Sequence, residues 1–196
     1  LGVFVMGVRR ASFSNEAGLG SAAIAHAAAK TDEPVREGMV AMLGPFIDTI
    51  VICFMTASVV IITGTWNNPE FAAQGGNVGV SLTSAAFGSV IPWFPYVLTI
   101  CVCLFAYSTL ISWCYYGERG WIYLFNHFGE DKGLKTVNVY RVIFIVFILV
   151  GATNNLSDVI LFSDLMILSM AFPNIVGGII LAPKVKEKLT DYWGRY

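Results

Sequence analysis

Charge is what this sequence has least of. Only 13% of its 196 residues are Asp, Glu, Lys or Arg, about half the share of an ordinary soluble domain, while 56% are hydrophobic. A domain of this length has too little interior to hide several apolar runs of twenty or more residues. The scarcity of charge therefore argues against a soluble enzyme and points to lipid as the solvent. Net charge is -1, which leaves no field to hold a nucleic acid. Histidine is reduced to His26 and His127, and the four cysteines, Cys53, Cys101, Cys103 and Cys114, all fall within apolar runs. Small buried hydrophobes follow from that placement, rather than a disulfide framework or a metal cluster. Nucleophile elbows, phosphate loops and zinc-ligand spacings are missing too, so no enzymatic constellation is expected, and no cofactor. No cleavable signal peptide is visible; the chain opens at Leu1 inside an apolar run, as a fragment of a longer protein would.

What is present is a series of hydrophobic runs. Residues 39–63 form a 25-residue stretch whose only charge is Asp48, long enough to cross a hydrocarbon layer of about 30 Å. A second span is read at 96–116, bounded upstream by Pro92 and Pro95. Shorter or interrupted runs follow at 139–153 and at 159–183, the last containing Asp164, Pro173 and Gly177-Gly178. The stretch between Thr65 and Pro95 is turn-rich and is expected to cap one face. The first thirty residues behave differently: the apolar run stops at Arg9-Arg10 and resumes as the small-residue segment NEAGLGSAAIAHAAAK. This reads as a broken span over residues 1–29, interrupted near 9–14, with Ser14 or Asn15 as the N-cap of the second piece and Glu16 in its first turn. The fold class expected is therefore all-α: one polytopic transmembrane domain over residues 1–196, with five spans and a tail at 184–196.

Basic residues orient those spans. Lys30 and Arg36 lie between the first and second; Arg119, Lys132, Lys135 and Arg141 between the third and fourth; Lys184, Lys186, Lys188 and Arg195 beyond the fifth. Ten of the twelve basic residues thus occupy alternate connections, and the intervening ones, 65–95 and 154–158, hold none. By the positive-inside rule the odd-numbered spans run inward and the C-terminus is cytoplasmic.

A break in a membrane helix strands backbone donors and acceptors where no water is available, so it survives only in contact with protein or a cavity. In transporters with broken helices, the freed N-terminal dipole faces a substrate carboxylate and the unwound carbonyls take the coupling cation. Phe13, Ser14 and Asn15 supply an aromatic lid, a hydroxyl and an amide for such a site. Arg9 and Arg10 are expected to snorkel to water or to pair with Glu16 or Asp48. In the third span, Ser108 and Ser112 share a helix face with Thr109 beside them; hard oxygens of this kind suit a sodium ion, though such hydroxyls also bond their own helix or glue helices together. Trp113 is either a pocket wall or an interfacial anchor beside Tyr115 and Tyr116. Asp48 and Asp164, the carboxylates within spans, are candidate proton or ion ligands. Asp158 reads as a helix cap, Asn155-Leu156-Ser157 as a lone glycosylation-type triplet of low specificity, and His26 as a residue that packs or bonds across helices.

The run GVRRASFSNEAGLGSAAIAHAAAKTDEP resembles the signature region of the alanine or glycine:cation symporters, the sodium:alanine symporter family. The segments EGMVAMLGPFIDTIVICFMTASVVIITG and LFAYSTLISWCYYGE are similar to that family as well, so the resemblance covers nearly the whole chain. It implies a LeuT-type architecture of two inverted five-helix repeats, this chain being the second repeat in the C-terminal half, with the N-terminal half supplied by the rest of the transporter. It implies import of alanine or glycine with sodium across the cell membrane by alternating access. It also places Phe13 and its neighbours with Trp113 around the amino acid, and Ser108 and Thr109 near sodium. Two positions depart from the family pattern: Ala11 stands where Gly is usual, and Ala23 where Pro is. The readings that compete are a proton-coupled permease, in which Asp48 or Asp164 titrates, and a channel or assembly subunit whose polar spots act as helix glue.

Overall fold

A computed structural model describes residues 1–72 and 78–195; the Gln74-Gly75-Gly76-Asn77 part of the expected turn-rich cap lies outside the described residues. Every regular element described is helical. In chain order they are α1 (Gly2–Asn15), α2 (Ser21–His26), α3 (Pro34–Pro45), a π-helical segment (Phe46–Ile52), α4 (Cys53–Ile62), a 3-10 turn (Thr65–Asn67), α5 (Pro69–Ala72), α6 (Gly79–Gly88), α7 (Phe94–Asn126), α8 (Lys132–Thr153) and α9 (Leu156–Trp193). Among the described residues, four helical rods are long and apolar enough to cross a bilayer: Pro34–Ile62, α7, α8 and α9. Their apolar stretches are almost entirely uncovered by the chain itself, with Phe54 72%, Phe105 72% and Phe172 75% exposed. Such surfaces require lipid or further protein. The result is an all-helical polytopic membrane protein.

The rods overrun the apolar runs that announce them. The charges of Glu118 and Arg119 do not stop α7, which continues to Asn126 and leaves only residues 127–131 between it and α8. Likewise α9 passes through Pro173 and Pro183 to Trp193, so most of the expected tail is helix. Hydropathy marks where a helix meets lipid, whereas helix propensity carries it on into water. The prolines are absorbed because ending a helix within hydrocarbon would strand more backbone groups than the one bond each proline removes. The cap of α9 is Asn155, whose side chain accepts from the Ser157 N–H at 3.2 Å; Asp158 is the acidic residue of its first turn.

The first segment departs most from expectation. Through residues 9–14 the chain is uninterrupted α1, and it leaves the helix at Glu16 instead. Glu16, Gly18 and Gly20 have φ of 53°, 84° and 94°, left-handed values that no right-handed helix accommodates. Asn15 closes α1 by accepting the Ala17 N–H at 3.1 Å, a side-chain turn with the chemistry of an N-cap. The second piece then begins only at Ser21, with Gly20 as its N-cap. With 14 and 6 residues, α1 and α2 are about 21 and 9 Å long, and neither alone crosses a bilayer.

The chain divides into two units, Leu1–Thr49 with Tyr116–Tyr196, and Ile50–Tyr115. In the first, the ends of α7 and α8 form an antiparallel hairpin: Trp121 donates to the Thr136 hydroxyl at 3.0 Å, and Glu118 pairs with Arg141. Gly133 permits this approach, since a Cβ there would lie 2.5 Å from the Ile122 carbonyl oxygen. The N-terminal segment runs beside α9 in the same direction. Arg9 meets Asp164, Gly20 abuts Asn174, and Glu33 pairs with Arg195, so both partners advance together. In the second unit α4 packs on α6, Ala86 is fully buried, and Phe87 stacks on Phe94 with ring centroids 4.6 Å apart.

Candidate functional site

The interruption after α1 does not hang free; it faces a second irregularity. Pro45 has no N–H to donate to the carbonyl of Ala41 four residues back, and the ladder after it widens into the seven-residue π segment Phe46–Ile52. Segments of this kind re-aim side chains within otherwise regular helices and are frequent at functional sites. Here they direct Asp48 and Thr49 at the end of α1. Ser14 donates its hydroxyl to the Asp48 carboxylate, and the Asn15 amide donates to the Thr49 hydroxyl at 2.9 Å. With its Oδ1 holding the Ala17 N–H, Asn15 uses both ends of its amide and is locked in orientation.

Around these contacts lies a cleft of about 540 Å³. Its polar lining comes from Ser14, Asn15, Asp48 and His26, and the rest from Ala17, Ala22, Ala41, Met42, Gly44 and Pro45. His26 closes one side by bonding Glu37 through Nδ1 at 2.6 Å, the cross-helix bond expected of it. The cleft thus presents hydroxyl, amide and carboxylate oxygens beside irregular backbone, a donor set suited to a hard alkali cation and to the polar groups of a small zwitterion. No group of three His, Cys, Asp or Glu is placed to bind a transition metal among the described residues. A groove of similar size, about 560 Å³, lies at the end of α7, lined by Arg119, Ile122, Tyr123, Leu124 and Asn126 of that helix and by His127 and Phe128 of the turn that follows.

The residues singled out from sequence are therefore only partly gathered. Ser14 and Asn15 line the cleft; Phe13, half-buried on the same turn, does not. Ser108, Thr109, Ser112 and Trp113 belong to the other unit, on α7. There Ser112 donates to the Ser108 carbonyl of its own helix at 3.0 Å. Arg9 does not pair with Glu16 or Asp48. Its partner is Asp164, the lone acid of the α9 apolar run, which is 3% exposed. Two isolated opposite charges in apolar runs were the signal for that pair, because neither is tolerated alone in lipid. Thr49 and Asn174 carried no such signal; the first is revealed only by the π segment and the second only by the bend of the chain at Gly20.

The profile of the sodium:alanine symporter family matches residues 1–195. The chain belongs to the sodium:alanine symporter family. Relatives in this family include an uncharacterized transporter of Haemophilus influenzae, 41% identical over 96% of this chain and 39% of its own length. The sodium/alanine symporter AgcS of Methanococcus maripaludis is 42% identical over 93% of this chain and 38% of its own. A Bacillus subtilis protein named as a probable sodium/glutamine symporter, GlnT, is 34% identical over 98% and 38%. The chain thus spans about two fifths of the length of these curated relatives. No solved structure matches it. That family is one of transporters, not of enzymes.

Proposed function

We propose that the chain is the C-terminal half of a sodium-coupled symporter that imports alanine or glycine by alternating access, and that the cleft at the interrupted helix contributes to its amino-acid site. The observation that carries this reading is the docking of the broken end of α1, through Ser14 and Asn15, onto Asp48 and Thr49 of the π segment. Family membership and the sodium and alanine in the name of AgcS support this cargo and ion; the glutamine in the name of GlnT is the reason the preferred amino acid needs its own measurement. Ala17, Ala22, Ala41 and Gly44 in the lining leave the room that supports a small amino acid.

In this proposal α1, the left-handed turn and α2 together make one broken span whose lengths sum to about 30 Å. With the four long rods this gives the second five-helix repeat of a LeuT-type fold, set in the cell membrane with a cytoplasmic C-terminus. The parallel course of the first segment and α9 supports spans one and five running the same way, as the basic residues require. Phe13 and Trp113 remain proposed walls of the amino-acid site. Ser108, Thr109 and Ser112 remain a proposed sodium site, and the Asp48 carboxylate with the Ser14 and Thr49 hydroxyls offers a second set of hard oxygens.

Equilibrium binding of radiolabelled alanine to the purified full-length symporter, with sodium and with potassium in its place, tests the reading. Unlabelled glycine is expected to displace the label and glutamine to do so poorly, with binding dependent on sodium. Binding that is indifferent to sodium, or displaced best by glutamine, contradicts it.

A further inference from the structure

Arg9 and Asp164 form an ion pair whose burial is lopsided: the Asp164 side chain is 5% exposed and that of Arg9 36%. Asp164 meets Arg9 through Oδ2, while its Oδ1 is buried with no hydrogen-bond partner. A fully committed structural pair would satisfy both carboxylate oxygens, because a buried carboxylate is costly unless its lone pairs are engaged. One oxygen of the buried carboxylate is thus left unengaged by the pair. The position of the pair is telling as well. Arg9 stands little more than one turn before Ser14, on the rigid helix that carries the cleft residues, whereas Asp164 stands on the continuous rod α9. Beyond the break, the same rod is held again by Glu33 and Arg195 at 2.9 Å, but that pair is more exposed, at 20% and 60%. The broken segment is thus tied to α9 strongly on one side of the interruption and weakly on the other, as the screening of exposed pairs dictates.

We infer that the Arg9–Asp164 pair is a latch that holds α1 against α9 and must part for the cleft to open on the Arg9 side of the break. The latch restrains movement of the cleft residues and does not touch the cargo; Arg9 and Asp164 are positioning residues. The inference rests on the proposed cleft being the amino-acid site.

The test uses the full-length symporter in proteoliposomes, with every native cysteine, Cys53, Cys101, Cys103 and Cys114 among them, replaced by Ser and a single reporter cysteine introduced by Ala17→Cys at the cleft. The probe is a membrane-impermeant thiol reagent applied from the side of the N-terminal end of α1. D164N and R9Q are each expected to speed labelling by at least about fivefold, the lower end of ordinary coupling free energies, and to slow net uptake more than alanine exchange. The double variant R9D/D164R, which restores an opposite-charge pair, is expected to return labelling toward the parent rate, and E33Q is expected to leave it within about twofold, as for an exposed pair. Thermal midpoints measured alongside separate a latch from simple destabilisation. Unchanged labelling in D164N and R9Q overturns the latch, as does faster labelling that tracks a lowered midpoint equally in E33Q. The parent A17C protein provides a separate control: failure of alanine to protect it from the reagent counts against the cleft as the amino-acid site, whatever the latch variants do.

Discussion

Asn15 uses both ends of its amide at once, one holding the turn that ends α1 and the other reaching Thr49. N15A removes both contacts, and at about 0.5–1.5 kcal/mol for each hydrogen bond sodium-dependent uptake is expected to fall roughly tenfold while membrane insertion stays normal. Uptake assayed beside surface expression separates the two, and an undiminished rate argues for a purely structural helix contact. Asp48 acts through its charge. Asp48→Asn keeps an acceptor for Ser14 but removes the anion, and charged hydrogen-bonding groups contribute about 1.5–3 kcal/mol. The sodium concentration for half-maximal uptake is therefore expected to rise about tenfold or more, read from initial rates over a sodium titration. At this scale the sequence spoke clearly only through isolated polar residues in apolar surroundings. Asp48, Asp164 and Asn15 stood out in that way, and the structure gives each a partner. Thr49 did not, because one more hydroxyl in a membrane helix is ordinary.

Two irregular elements face each other in the cleft, and they were not equally legible. The run 39–63 was read as one continuous span, and nothing in that reading marked the widening of the ladder over Phe46–Ile52 after Pro45. The break was expected near 9–14, where the chain is helical, and the helix ends at Asn15 instead. Arg9 and Arg10 interrupt hydropathy without interrupting the helix, whereas Glu16 adopts a left-handed conformation that its chemistry does not advertise. Pro45→Ala restores a helical N–H donor, and returning the π segment to α geometry rotates all that follows by about 100° for the one residue recovered. Asp48 then loses Ser14, and uptake is expected to collapse with topology unchanged, as measured by uptake and by labelling of an introduced terminal cysteine. The α7–α8 hairpin offers a contrasting test of stability alone. In Gly133→Ala the new Cβ would sit 2.5 Å from a backbone oxygen and 2.6 Å from a backbone carbon of Ile122. Overpacking of that kind costs about 1–3 kcal/mol, so a lower thermal midpoint in detergent is expected, with sodium affinity in the surviving protein unaltered.

For the molecule as a whole, the membrane environment was legible because lipid exposure needs no partner to be decoded: the apolar runs 39–63, 96–116, 139–153 and 159–183 each fall on a long apolar rod. Helix ends were less so, since α7 and α9 continue well past the hydrocarbon. The sidedness proposed from basic residues has a direct check. A cysteine introduced at Gly194 is expected to react with an impermeant reagent in inside-out vesicles and to be protected in intact cells. The central claim is that this chain belongs to a machine driven by sodium through a site at the interrupted helix. Initial uptake of radiolabelled alanine by the full-length symporter in proteoliposomes, with an inward sodium gradient and with the gradient dissipated, tests it most directly. Rapid uptake that collapses without the gradient, and that is lost in N15A, is expected. Uptake that persists without sodium or is driven by an inward proton gradient instead, with N15A unaffected, contradicts the account.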